Sequence, residues 1–381
     1  MPCSSPLAAF RPLGTGGRPR IGEPAPGQQN VETFTLSCGA CLSCRIAKQR
    51  DWAIRSVHET QTTGPGASWF LTLTYNDRHL PPDKSLSKDD LTKFLKRFRK
   101  NTGSRIRYLA CGEYGDLRLR PHFHLILWGH KFHDRVPWKT TKRGDTLFRS
   151  RTLEQAWSCP DRNCCPTLLD GSRPPIGHAY MGNVTFDSAA YVAGYTTKKM
   201  TGGASFYHYL RLNADDEMVS VEPEFARMSR GRRADDQGGI GYRWFQKFQN
   251  DVFPKDYVHI QKRGKARKYP SPRYYSKLYE QSDPEAYQAL KERRESARLS
   301  RSLEDTPELR RARDASLRGE RALYGHADTD GDLDRLIRDR AKHLKPNGFD
   351  IESWSTIDQT TGELTPFTWS DQNGKTDPRD D

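Results

Sequence analysis

The sequence predicts an α+β fold, an antiparallel sheet of about five strands with helices laid on one face. Three observations carry the prediction. Trp69–Tyr75 alternates aromatic or aliphatic residues with Thr, the period of a strand with one buried face. Two further apolar segments, 105–113 and 121–128, are separated only by polar residues 114–120, short enough for a hairpin. Between the first strand and this pair, Leu91, Phe94, Leu95 and Phe98 recur at helical spacing.

Taken in order, residues 1–33 are basic, with scattered Pro and Gly, and are expected to form a flexible lead-in. Cys38, Cys41 and Cys44 then open a helix over about 45–59, whose apolar face is Ile46, Ala47, Ala53, Ile54 and Val57. After the Gly64-Pro65-Gly66 turn and the first strand, Ser87 and Asp90 resemble a capping box, and Gly103 is a natural stop. Residues 130–180 give no clear period and are expected to be loop-rich. A helix over about 188–200 follows, with Asp187 as N-cap and Gly202-Gly203 beyond its end. The expected domains are a flexible basic segment 1–33, a main folded domain 34–280, a charged, Arg-rich helical extension 281–346 with breaks near Pro307 and at 328–332, and an acidic, disordered tail 347–381.

With 62 Lys and Arg against 48 Asp and Glu among 381 residues, the chain carries a net charge of +14. That surplus favours a polyanionic partner, most economically nucleic acid. No run approaches the roughly eighteen apolar residues of a membrane span, and residues 1–30 lack the apolar core of a secretory signal. Eight cysteines in that setting point to reduced thiols or metal ligands rather than a disulfide scaffold.

The most informative tripeptide is His122-Phe123-His124. Residues i and i+2 of a strand share a face, so both imidazoles project together while Phe123 enters the core. Glu113, at the end of the preceding strand, lies near them if the two strands pair, with Asp116 as the competing carboxylate. One carboxylate and two imidazoles leave coordination positions open and suit Mg²⁺ or Mn²⁺ as a Lewis acid. The plainer alternative is two exposed histidines on a strand surface.

On the helix over 188–200, Tyr191 and Tyr195 stand at i and i+4 and Lys198 one turn on, so all three can share a face. A nearby ammonium stabilises phenolate and the charge that builds during phosphoryl transfer. Gly194 costs about 1 kcal/mol relative to Ala inside a helix, which suggests a bulky neighbour close to the backbone there.

Cys38, Cys41 and Cys44 are one ligand short of a structural Zn²⁺ site, with Cys159, Cys164 and Cys165 as candidates for the fourth; reduced cysteines at a helix start are the alternative. Residues 262–275 interleave cations with Tyr269, Tyr274 and Tyr275, as binding of single strands requires, though a charged loop beside packing aromatics fits equally. Asp77 suits a turn, or a place beside the metal.

In order, FLTLTY (70–75), Glu113 with RPHFHLILWG (120–129), and YVAGYTTKK (191–199) resemble the three motifs of HUH rolling-circle replication initiators. CGACLSCRIAKQRDWAIR (38–55), FARMSRG (225–231) and KARKYPSPRYYSKLYE (265–280) resemble the replication initiators of gokushoviruses, small single-stranded DNA phages of the Microviridae.

The resemblance implies a ferredoxin-like HUH endonuclease that nicks a phage origin. His122, His124 and Glu113 would hold the metal. Tyr195 would be first choice as nucleophile because Lys198 sits where such initiators place a YxxK lysine, and Tyr191 would serve the second transfer. Its implied partners are single-stranded DNA, the origin of the replicative form, and the host helicase and DNA polymerase, in the host bacterial cytoplasm. No phosphate-binding loop of the G-x-x-x-x-G-K-[ST] type occurs, so unwinding would fall to the host. The rivals are a single-tyrosine HUH transposase or relaxase, and a non-catalytic DNA-binding protein for packaging or transcription.

Overall fold

The computed structural model describes residues 3–14, 17–115, 119–141, 144–161, 163–198, 209–213, 217–231, 238–262, 264–302, 306–323, 355–357 and 364–366. The chain divides into two units, 1–317 and 318–381. In the second, Ser355–Ile357 pairs antiparallel with Leu364–Pro366. The remainder of the acidic tail and the break at 328–332 lie outside the described residues.

The first unit is built on a seven-stranded sheet in which every pairing is antiparallel. Its centre is β4 (Ser68–Thr74), β5 (Arg107–Tyr114) and β6 (Pro121–Trp128), with β6 in the middle. β10 (Leu210–Leu212) and β11 (Met218–Ser220) pair antiparallel as a separate hairpin, and β12 (Phe225–Met228) extends the sheet beyond β5. On the other side follow β9 (Ala179–Asn183), β8 (Thr146–Ser150) and β7 (Arg135–Thr140).

Strand alternation divides the side chains between two cores. Trp69, Leu71, Leu73, Phe123, Leu125 and Leu127 pack against Leu91, Phe94, Leu95 and Phe98 of helix α2 (Lys88–Thr102), and against Trp157 after the short α3 (Arg151–Ala156). Leu109, Cys111, Ile126 and Trp128 project the other way, onto Ala53 and Ile54 of α1 (Leu42–Thr63) and Ala189 and Val192 of α4 (Phe186–Lys198). Trp244, Phe245 and Tyr275 complete this second core from the helices Tyr242–Val252 and Arg273–Ser282.

The expectation of five strands with helices on one face is therefore corrected: the sheet has seven, and helices cover both faces. The α+β class stands. Both faces of β6 are apolar apart from the two histidines near its start, so each needs a cover.

α2 begins and ends where its signals place it. The Ser87 hydroxyl accepts from Asp90 N–H at 3.1 Å, and Gly103 adopts φ 65°, closing the last turn through Arg99 O. A buried ion pair ties sheet to helix: Arg107 Nη1 lies 2.8 Å from Glu59 Oε1 of α1, and Glu59 Oε2 accepts from Gly241 N–H at 2.7 Å.

Two further expectations differ from the structure, and a third gains detail. Within residues 1–33, expected to be flexible, β1 (Leu7–Pro12) pairs with β2 (Arg20–Ile21) and with β3 (Val31–Leu36), which begins there. The loop-rich stretch 130–180 holds β7, β8, α3 and the start of β9; β7 is exposed along its whole length, so it carries no burial period. Of the charged extension, the helix Pro284–Ser302 docks on the body: Leu290 is buried in the second core and Arg294 makes two bonds to Asp256, at 2.6 and 2.8 Å.

The basic stretch after Lys255 is a hairpin of β13 (Tyr257–Lys262) and β14 (Lys265–Pro270). Tyr275 is wholly buried and Tyr269 and Tyr274 pack against the second core, whereas Lys265, Arg267 and Lys268 are exposed. The aromatics thus serve packing while the cations face solvent.

Candidate active site

Glu113 stands directly opposite His122 in the β5–β6 pairing, and Thr74 and Thr72 stand opposite His122 and His124 in the β4–β6 pairing. The register places Glu113, His122, His124 and Thr72 on the face that α4 covers. His122 Nε2 lies 2.7 Å and His124 Nε2 2.9 Å from the same Glu113 Oε1. From α4, the Tyr191 hydroxyl donates to that oxygen at 3.0 Å. Its ring meets the edge of His124 with centroids 5.1 Å apart. Glu113 is only 3% exposed, while Tyr191 is 37% exposed, so the group opens to solvent on the tyrosine side.

The outer contacts orient the rings. His122 Nδ1 lies 3.1 Å from Arg120 O, and a carbonyl only accepts, so Nδ1 carries the proton. In the neutral ring, Nε2 then presents a lone pair to a buried carboxylate oxygen. Two lone pairs at that distance need a positive charge between them, either a proton on the imidazole or a metal cation. His124 Nδ1 is 3.0 Å from Thr72 Oγ1, which leaves Nε2 for the same centre. Phe70 lies nearly parallel to His124, 5.4 Å away at 15°.

Burial by itself pushes the Glu113 carboxyl up, but the hydrogen bonds and charge of His122 and His124 outweigh it and bring it down to about 2. A carboxylate held ionised, with two imidazoles within 4.8 Å of it, is a donor set that fits a divalent ion.

Among the residues predicted from sequence, Glu113, His122, His124 and Tyr191 come together here. Tyr195 and Lys198 lie on the last turns of α4, and their side chains are outside the described residues, as are Asp116 and Lys199. Asp77 belongs to a turn: it opens a 3-10 helix and pairs with Arg120 at 2.5 Å. Gly194 faces the Gln49 side chain of α1, and a Cβ there would lie 2.9 Å from Gln49 Nε2.

Sequence reasoning quoted Thr72 and Phe70 within FLTLTY but gave neither a role of its own. Both alternate onto the site face of β4, a signal legible only once the strand order is known.

The cysteines differ from expectation. The fourth sulfur beside Cys38, Cys41 and Cys44 is Cys3, not Cys159, Cys164 or Cys165. Cys3 Sγ lies 3.5 Å from Cys38 Sγ and 3.7 Å from Cys41 Sγ, far beyond a disulfide bond length. Burial works against a thiolate at Cys41, but backbone N–H groups of Cys44 and Ser4 bring it down to about 6. Cys3 was hidden in a Pro- and Gly-rich segment that showed no element to carry it.

One lysine of the β13–β14 hairpin reaches the start of α4. Lys262 lies 3.7 Å from Asp187 and over the Phe186 ring, which stacks on Tyr269. Among the described residues, no helix is long and apolar enough to cross a membrane.

Residues 68–200 match the family model of replication-associated protein ORF2/G2P. Replication-associated protein VP4 of Bdellovibrio phage phiMH2K is 28% identical over 267 residues, covering 68% of this chain and 72% of that protein. Replication-associated protein ORF2 of Spiroplasma virus 4 is 28% identical over 271 residues, covering 68% and 73%. Replication-associated protein ORF4 of Chlamydia phage 1 is 30% identical over 179 residues, covering 45% and 40%. No solved structure matches at a significant level.

Proposed function

We propose that this chain, kin to the replication-associated proteins of gokushoviruses as its motifs implied, is an HUH-type replication initiator. It would nick the origin of a circular DNA genome through a 5′-phosphotyrosine bond and later rejoin the displaced strand. One observation carries the reading: a tyrosine hydroxyl from α4 reaches a Glu–His–His group on one face of adjacent antiparallel strands. The β4–β6–β5 core, flanked by helices, is compatible with the ferredoxin-like plan of such nucleases.

Glu113 Oε1 and the two Nε2 atoms would hold Mg²⁺ or Mn²⁺, which when bound supplies Lewis-acid polarisation of the scissile phosphate. Arg120 O and Thr72 Oγ1 keep the imidazoles turned toward Glu113. Glu113 orients the Tyr191 hydroxyl. With its carboxyl near pH 2 it is too weak a base to take the phenol proton at neutral pH, so stabilisation of phenolate is assigned to Lys198, two turns along α4.

In the transfer, the tyrosine gives up its proton to solvent and its oxygen bonds to phosphorus, while the 3′ oxygen leaves and takes up a proton from solvent. The phosphodiester energy is kept, and a 3′ hydroxyl is freed for the host polymerase. Tyr195, one turn further on, gives the second nucleophile needed for rejoining, although the YxxK spacing alone put it first. The bond to Glu113 favours Tyr191 as the tyrosine that would lie beside a bound metal.

Lys265, Arg267 and Lys268 on the hairpin near the start of α4 supply phosphate contacts for single-stranded DNA and for the origin of the replicative form. Host helicase and polymerase would complete replication in the host bacterial cytoplasm. Cys38, Cys41 and Cys44 would bind a structural Zn²⁺ with Cys3 as fourth ligand.

The test is covalent trapping. Protein and a labelled single-stranded origin oligonucleotide are incubated with Mn²⁺ or EDTA and resolved on a denaturing gel, with Tyr191→Phe, Tyr195→Phe and His124→Ala beside wild type. A metal-dependent shifted band, lost in His124→Ala, is the expected result, and the tyrosine lanes give the order of attack. Binding without a covalent band in any lane would leave a non-catalytic DNA-binding protein.

A further inference from the structure

We infer that His79, Cys159, Cys164 and Cys165 form a second structural zinc site, separate from the Glu113 centre and from the Cys3 group. Their ligand atoms all lie within 4.8 Å of one another. Cys164 Sγ is 3.6 Å from Cys165 Sγ, and His79 Nε2 is 3.7 Å and 3.1 Å from those two sulfurs. Sulfurs each about 2.3 Å from a shared tetrahedral ion stand roughly 3.8 Å apart, against about 2.05 Å in a disulfide. The spacing is that of ligands around one ion, and three sulfurs with one imidazole are a zinc donor set.

The imidazole is oriented as a ligand should be. Asn76 Oδ1 accepts from His79 N–H at 2.9 Å and lies 2.8 Å from His79 Nδ1. That bond places the ring proton on Nδ1 and directs the Nε2 lone pair at the thiols. The sulfurs are also enclosed: Cys159 and Cys165 are 5% and 4% exposed and belong to the first core. The turn Asp161–Cys165 is closed by Cys165 N–H to Asp161 O at 2.9 Å, which brings the last two sulfurs round toward the first.

The position gives the site a purpose. His79 ends the 3-10 helix directly after β4, and Asp77 of that turn holds Arg120, whose carbonyl orients His122. The cysteines lie on the segment that follows Trp157, whose indole donates to Thr74 O at 2.7 Å. An ion at this site would pin that segment to the end of β4 and brace the rim of the Glu113 group.

The test counts metal in the full chain after expression with zinc and gel filtration, with His124→Ala present throughout so that the Glu113 centre takes up none. That reference chain should hold about two zinc ions. Adding Cys41→Ser should leave one, and X-ray absorption of that ion should show three sulfurs and one nitrogen. Adding Cys165→Ser or His79→Ala instead, each checked for folding by circular dichroism, should remove one ion relative to the reference chain. No zinc in Cys41→Ser, or a shell without imidazole nitrogen, would overturn the proposal. So would undiminished zinc in folded Cys165→Ser, or a Cys164–Cys165 disulfide in the isolated chain. None of these readouts depends on nicking.

Discussion

Gly194 is the position at which the packing of α4 can be measured most directly. Replacing Gly by Ala in an exposed helix interior gains about 1 kcal/mol. At this site the new Cβ would stand 2.9 Å from Gln49 Nε2, so the amide must turn away and give up its 2.7 Å bond to Ala190 O. That bond contributes about 1 kcal/mol, and the two terms cancel. Gly194→Ala should therefore change the stability to urea by less than about 0.5 kcal/mol.

In a Gln49→Ala background the obstruction is absent, and the same substitution should stabilise by about 1 kcal/mol. The double-mutant cycle then gives a coupling of about 1 kcal/mol. Gly194→Val adds two methyl groups beyond the Cβ, which cannot be cleared by one side chain, and should cost about 1–3 kcal/mol. Because α4 also carries Tyr191, the valine variant should lose covalent trapping well before it unfolds. A full 1 kcal/mol gain from Gly194→Ala with Gln49 present, or additive effects in the cycle, would refute the close approach of α1.

Three further outcomes follow from the same structure. Thr72→Val keeps the shape but removes the group facing His124 Nδ1, and should weaken Mn²⁺ binding about 10- to 100-fold by titration calorimetry while the melting temperature changes little. Arg107→Ala strands the buried Glu59 carboxylate and should cost about 3–5 kcal/mol in denaturant; pairing Arg107→Met with Glu59→Gln should recover most of it. His58 is stacked on Trp244, and burial brings its imidazole down from 6.5 to about 3. Below pH 6.5 the unfolded chain takes up a proton that the folded chain refuses, so stability should fall steadily from pH 6.5 toward 3, by roughly 4 kcal/mol in all. His58→Gln should flatten that part of the pH profile, and an unchanged slope would remove His58 as its source.

The central elements were legible because each carries its own period. The alternation of Trp69–Tyr75 separates an apolar face packed on α2 from the face that carries Thr72, and the four apolar positions of α2 reflect one-sided burial. In β6 the His-x-His spacing marks a shared face without any knowledge of partners. Strand order supplied what periodicity lacks: Thr72 and Phe70 acquire meaning only when β4 is known to lie beside β6. The second helical layer was missed because β6 is apolar on both faces, and its Ile126 and Trp128 read simply as more strand. Residues 130–180 were opaque for the opposite reason, since β7 is exposed throughout and its hairpin is set by pairing instead of burial. Sulfur clustering was half legible. Cys38, Cys41 and Cys44 announce themselves by spacing, whereas Cys3 and His79 reach their groups across long stretches of chain.

The triad and the tyrosines are carried by different kinds of element. Strands β5 and β6 fix the carboxylate and imidazoles to a rigid floor, whereas Tyr191 and Tyr195 sit at successive levels of a helix. Four residues of helix advance about 6 Å and return to within about 40° of the same heading. On the nickase reading, handing the reaction from one tyrosine to the other is thus a shift along a single axis. The arrangement works like two rungs beside one fixed tool: a DNA end left bonded on one rung stays within a helical turn of the metal while the other rung is engaged.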